Sequence, residues 1–511
     1  MTDEQTVGLK RLKVMLLSGF QRSENHIPIG LLSEETAVEN TYNTFLLHNF
    51  AGYYRPDDPS SKFTQIVAAH KIAKLIKSKV SRSSRIKLMS SFSDVQLPEQ
   101  WYMLDVSVKR RLCDLLSWTN LRRWDFNIFE VDGVLKGNNT LVFVAWAILA
   151  SPNAQYAMEM ECRDDPGAAA TSPTGSGGIT PVADREGYNF ISELGIKDET
   201  LTGYITAIEK QYIDNPYHNK THAADVIQTV HALIQMGGSD FFCKDDPVES
   251  FALLVAAAVH DVGHPGMNNT YQVSSRSQLA ITYNDKSVLE NMHTSRAFQL
   301  LMGAERNDKC DILASFTDER KQKFRTIVIE SVLSTDMTKH FAKKNFIKGI
   351  LLNKELECLS SCSSSMTTQQ NDSGSRPTKN NDSIDMSDPA TAIHVLGYML
   401  HLADISNPAK SSDLAAMWAD RVLEEFFLQG DKEAELALPI SPLCDRRTTS
   451  RSQSQIGFIN FIVLPAYELL GQLIPQVESV VLPQIRSNLT YWEEQKQLEE
   501  EDADADMAEK D

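Results

Sequence analysis

The chain has 511 residues, room for two to four domains at roughly 100–200 residues each. Hydrophobic residues at 42% and charged residues at 23% exclude wholesale disorder, and 50 basic against 68 acidic residues leave a net −18, which excludes a general nucleic-acid binder. Seven scattered cysteines without a CxxC pair imply neither a disulfide framework nor a cysteine zinc site, and they point to a reducing interior.

In chain order, residues 1–61 read as an N-terminal extension; Asp3 and Glu4 precede a short apolar stretch that lacks a signal-peptide pattern. Residues 62–96 form a basic amphipathic segment. Between Lys62 and Ser90 there are eight Lys or Arg and no acid, with Ile72, Leu75, Ile76, Val80, Ile86 and Leu88 as the apolar positions. Such a segment (62–90) reads as a calmodulin-type target or a membrane-surface anchor; the alternative is a solvated helix covering the rest of the protein or meeting its acidic tail. Leu141 to Ala150 is the longest apolar run, half a bilayer span, so no transmembrane helix is expected. The predicted setting is cytoplasmic, with peripheral membrane contact only through 62–90. Helical spacing of apolar residues marks Thr221–Gln235, Phe324–Leu333, Ala392–Leu402, Leu414–Leu428 and Ile456–Leu473, and no alternating strands with tight turns occur, so the fold class is all-α. Residues 163–187 and 359–388, rich in Gly, Pro, Ser, Thr and Asn, read as mobile surface insertions. Glu493 to Asp511 holds ten acidic and two basic residues, and 496–511 is predicted to be a solvated acidic tail.

Six of the twelve histidines (218, 222, 231, 260, 264, 293) fall within 76 residues. His218 and His222 stand at i and i+4, as do His260 and His264, with Asp261 beside His260. Asp404 sits in an apolar helical context that ends at Pro408. Imidazole and carboxylate ligands at this spacing suit zinc, manganese or magnesium, and an adjacent His-Asp pair can hold one metal and bridge to a second. His-Asp flanked by Ala256, Ala257, Ala258 and Val259 is costly to bury without such a partner. His231 has no partner motif and reads as an ordinary core histidine.

An ordered series of blocks carries a resemblance. It runs WDFNIFE (124–130), NPYHNKTHAADV (215–226), HDVGHPGMNN (260–269), YNDKSVLEN (283–291), LSTDM (333–337), HLADISNP (401–408), EEFFLQGDKEA (424–434), SPLCDR (441–446) and SQIGF (454–458). The sequence resembles the class I cyclic nucleotide phosphodiesterases over residues 97–495, and the wording of 424–446 is similar to the calcium/calmodulin-dependent subfamily. Asn407, however, stands where that subfamily usually has histidine. The resemblance implies a compact multi-helix bundle of the His-Asp metallohydrolase type with a dinuclear metal site. His222, His260, Asp261 and Asp404 would hold a tight Zn2+, and Asp261 would bridge to Mg2+ or Mn2+. A metal-activated hydroxide would attack phosphorus, and His218, paired with Glu290, would protonate the leaving 3′-oxygen. His264, His293 and Thr335 would fix ligands and metal-bound waters.

For the base, Gln455 can donate and accept in one plane, and Phe458, three residues on, can stack against the ring. Val422, Tyr217, Asn407 and Met337 would complete the lining. The implied reaction is hydrolysis of 3′,5′-cyclic nucleotides to 5′-monophosphates, with cAMP favoured and cGMP a second substrate; a homodimer is compatible with it. Two other readings stand beside this one. A His-Asp phosphohydrolase for another nucleotide or phosphoester is disfavoured by the distal blocks. A non-catalytic cyclic nucleotide sensor is disfavoured because no ligand or acid is lost.

Overall fold

The computed structural model describes residues 97–163, 182, 185–242, 246–303, 308–364 and 388–508. The extension 1–61, the basic segment 62–90 and most of both insertions lie outside them. Among the described residues every regular element is helical, as the apolar spacing predicts.

Ten helices position the site. They are α1 (Thr140–Leu149), α2 (Lys220–Gln235), α3 (Val248–Val259), α4 (Val288–Met302), α5 (Asp318–Val332), α6 (Pro389–Asp404), α7 (Ser412–Glu435), α8 (Arg451–Phe458), α9 (Leu464–Leu473) and α10 (Pro475–Ala508). Every residue of α1 is buried, consistent with a sequence that is apolar on all sides rather than striped. It packs on α2, which in turn packs on α3 and α6, while α5 lies against α3 and α6. This inner layer carries the histidines. A second group, in which α8, α9 and α7 each pack on α10, forms the other wall.

Local signals explain the boundaries. Asn219 caps α2, its side chain accepting from the Thr221 and His222 backbone N–H groups, which fixes His222 in the first turn. Helix α3 ends at His260, and the chain turns through Gly263 at φ +74°, a left-handed conformation that favours glycine. Between α8 and α9 the hydrogen bonding widens to a π-turn over Ile459–Val463. Arg451–Leu473 is the one described helical run with the length and mean hydropathy (1.4) of a bilayer span, which the apolar-run reading passed over. It packs on α10, and its Tyr467 hydroxyl donates to the Leu402 carbonyl of α6 at 2.8 Å.

One expectation changes. Cys113 and Cys162 are joined as a disulfide between helices Val106–Leu115 and Asn153–Arg163, a pairing that spacing alone does not reveal across 49 residues. The residues read as a solvated tail are helical as far as Ala508, in continuation of α10.

Candidate active site

The donor set is built from three elements. His222 comes from the first turn of α2, His260 and Asp261 from the end of α3, and Asp404 from the end of α6. His222 Nε2 lies 3.0 Å from Asp404 Oδ1 and 3.3 Å from His260 Nε2, and His260 Nε2 lies 3.3 Å from Asp404 Oδ1. Asp261 Oδ2 is 3.1 Å from His260 Nε2 and 3.5 Å from His222 Nε2. Both imidazoles are fully buried. The His260 Nδ1–H donates to the Ala257 carbonyl at 2.8 Å, which leaves its Nε2 lone pair facing the cluster. Asp261 Oδ2 and His222 Nδ1 have no hydrogen-bond partner. Buried lone pairs converging this closely repel one another unless a cation sits among them, so the four residues fit a divalent metal ion.

Around this set the expected neighbours take distinct positions. His293 donates from Nδ1 to the Val262 carbonyl at 2.9 Å and points Nε2 at Asp261 Oδ1, 3.6 Å away. Burial holds its pKa down at about 4, so it is a neutral ring there. His264 accepts from the Gly266 N–H at Nδ1 (3.0 Å) and stacks on His218 with ring centroids 3.9 Å apart. Burial and the neighbouring His218 charge keep it well below the usual histidine range. Thr335 is buried, and its hydroxyl donates back to the Val332 carbonyl at 2.8 Å, the ordinary helix-end bond.

The partner of His218 is a correction. Its Nδ1 pairs with Oε1 of Glu425 on α7, and Glu425 Oε2 accepts from the Tyr217 and His218 backbone N–H groups, both at 2.9 Å. Glu290, the expected partner, instead receives both Nδ2–H bonds of Asn269, at 3.1 and 3.0 Å. The reason is register: α4 presents Glu290 to the 266–269 turn, whereas α7 presents Glu425 to the loop ahead of α2. Burial alone would lower the His218 pKa, but the Glu425 carboxylate, with Asp261 and Asp404 behind it, outweighs burial and pushes it up to about 9. Burial works to raise Glu425, and the His218 charge overcomes it, taking the carboxyl to about 2. Burial raises Glu290 to about 7. Glu425 was legible within the quoted EEFFLQGDKEA block: it is one of two acids, with Glu433, that fall on the buried face of the helix, where a charge needs a partner.

Of the expected base-site residues, Tyr217 and Asn407 meet directly, the Asn407 amide donating to the Tyr217 hydroxyl, and the Tyr217 ring lies 4.6 Å from that of His222. Gln455 is buried and Phe458 half-buried on α8, Val422 is half-buried on α7, and Met337 is exposed in the turn after α5. His231 is a core residue, hydrogen-bonded through Nδ1 to the Tyr188 hydroxyl at 2.7 Å.

The family model of 3′5′-cyclic nucleotide phosphodiesterases matches residues 217–485, which include the donor set, Glu425 and Gln455. The chain is 39% identical over 297 residues to the mouse (Mus musculus) dual specificity calcium/calmodulin-dependent 3′,5′-cyclic nucleotide phosphodiesterase 1C, covering 58% of this chain and 37% of that protein. It is 37% identical over 305 residues to the probable 3′,5′-cyclic-AMP phosphodiesterase pde-4 of Caenorhabditis elegans, covering 60% of this chain and 41% of that protein. The chain thus spans well under half the length of these relatives. The crystal structure of the phosphodiesterase domain of the RhoPDE fusion protein from the choanoflagellate Salpingoeca rosetta superposes with a TM-score of 0.56 at 26% identity, covering 75% of this chain and 97% of that one.

Proposed function

Because the chain belongs to the 3′5′-cyclic nucleotide phosphodiesterase family, we propose that residues 97–495 form a catalytic domain that hydrolyses 3′,5′-cyclic nucleotides to 5′-monophosphates. The observation that carries the reading is the pairing of buried Glu425 with His218, four residues ahead of the metal-ligand residue His222. We assign His222, His260, Asp261 and Asp404 to a tight zinc ion, with magnesium or manganese beside Asp261. Bound there, the metals supply Lewis acidity toward the phosphodiester and lower the pKa of water. The protein's own part is proton placement and orientation. Glu425 keeps His218 charged at neutral pH, and His218 delivers that proton to the leaving 3′-oxygen. Asn269 holds both oxygens of Glu290, fixing that carboxyl. Gln455 hydrogen-bonds the purine edge and Phe458 stacks on the base. The test is turnover of cAMP by the chain loaded with zinc and magnesium; absence of turnover under saturating substrate overturns the reading.

The substrate is cAMP by preference, with cGMP second. Asn407, tied to Tyr217 through its amide N–H, supports this, since its buried Oδ1 has no partner and is left to accept a hydrogen bond. Competing kcat/KM values should favour cAMP. A preference for cGMP above about tenfold, roughly 1.4 kcal/mol of transition-state discrimination, reverses the assignment.

Residues 62–90 supply the regulatory part of the proposal: a target for calcium–calmodulin, supported by their basic amphipathic composition and by the similarity to the mouse calcium/calmodulin-dependent enzyme. Activity of the full chain should rise with calcium–calmodulin and lose that response when 62–90 is deleted. Equal activity in both, with no binding by a 62–92 peptide, leaves only the solvated-helix reading.

A further inference from the structure

Three buried polar side chains stand at four-residue intervals along one face of α7: Glu425, Gln429 and Glu433, all under 4% exposed. Glu425 serves His218, and the other two have no part in the chemistry above. Glu433 lies at the far end of the row. Its Oε2 accepts from the Ser441 N–H and its Oε1 from the Ser441 hydroxyl, both at 2.6 Å. Oε1 also accepts from Gln429 Nε2 at 2.9 Å. That bond fixes which way the Gln429 amide faces and leaves Gln429 Oε1 to accept from the Asn268 backbone N–H at 2.9 Å. The next residue, Asn269, holds Glu290 with its Nδ2 and accepts from the Leu289 N–H with its Oδ1 at 2.9 Å.

The turn at the far end is seated on the same helix. A Cβ at Gly430 would lie 2.0 Å from the Cys444 carbonyl oxygen, so only glycine allows this approach. From that turn the chain leads into α8, which bears Gln455 and Phe458.

We propose that Gln429 and Glu433 are positioning residues: with Glu425 they make α7 a ruler that sets the 441–446 turn and the Asn268–Asn269 turn at a fixed offset from His218. The inference rests on the phosphodiesterase reading for its consequences in turnover. Its structural half stands apart from that reading. From Ser441 through Glu433 and Gln429 to the Asn268 N–H the hydrogen bonds are continuous, so removing one member leaves the next buried group unpaired; Glu425 is tied to that run by the helix backbone alone. A loss there shifts the Asn268–Asn269 turn relative to His218 without touching substrate, and should appear in kcat rather than KM.

The experiment uses the full chain with Gln429→Leu, Glu433→Gln and Asn269→Ala, singly and combined. Hydrogen exchange of the peptide containing Asn268 should speed up by about tenfold or more in Gln429→Leu, and in the same direction in Glu433→Gln, which keeps the side chain's shape if the leucine variant fails to fold. Turnover should fall by about tenfold with KM changed less than about twofold. Gln429→Leu added to Asn269→Ala should cost much less than the product of the two separate losses, because both act through the same turn. Unchanged exchange at Asn268 in both variants, or losses that multiply, would overturn the proposal. A wild-type chain without cyclic nucleotide turnover would sink the phosphodiesterase reading, while the exchange measurement would still decide the linkage.

Discussion

Replacing Asp404 by Ala should release the tightly held metal and abolish turnover together. Asp404 Oδ1 is the one carboxylate oxygen within 3.3 Å of both buried imidazole nitrogens. Without it two imidazoles face each other across 3.3 Å with Asp261 as the sole remaining carboxylate, a site with a quarter of its donors gone and less charge to hold a dication. Metal content of the purified variant, measured beside its activity, checks this. A variant that keeps zinc and near-normal turnover would show that the metal is held elsewhere.

The second large effect is on pH dependence. Turnover should hold level through neutral pH and decline as the pH rises through about 9, because His218 then loses the proton it donates. Glu425→Gln removes the charge that keeps His218 protonated, and burial, which lowers the ring's pKa, is then opposed only by the more distant carboxylates. The alkaline limb should move down by more than about one unit. The stability signs follow the same pair. His218, raised from 6.5, contributes stability that is full below 6.5 and lost as pH rises through about 9. Glu425, lowered from 4.5, contributes stability present above 4.5 and lost as pH falls through about 2. A limb that stays in place in Glu425→Gln would remove Glu425 from the proton path.

Most of the site was legible because metal ligation restricts residue type and helical spacing together. His222, His260, Asp261 and Asp404 converge as the clustered histidines and the lone apolar-context Asp404 suggest, although Asp404 lies 182 residues from His222. The all-helical class followed from apolar periodicity, and α1, apolar on all sides, is the buried centre of it. Pairings across the sequence were less legible. Glu290 and Glu425 are both acids on helices, and their partners are decided by which loop each helix faces. Periodicity gives the face of a helix; it does not give the neighbour. The same limit hid the Cys113–Cys162 disulfide and the buried ion pair of Lys410 with Asp225, 3.4 Å apart and without a local sequence signature. Thr335 shows the converse: a hydroxyl at a helix end has a backbone acceptor at hand, and it takes it.

The measurement closest to the central assignment compares leaving groups in His218→Ala. Against cAMP, whose 3′-oxygen must be protonated as it departs, turnover should fall by roughly 10²–10⁴-fold with tight metal content unchanged. Against a nitrophenyl phosphodiester, whose leaving group departs without a proton, the loss should shrink to less than about tenfold. Equal losses on both substrates, or loss of the metal, would contradict His218 as the proton donor.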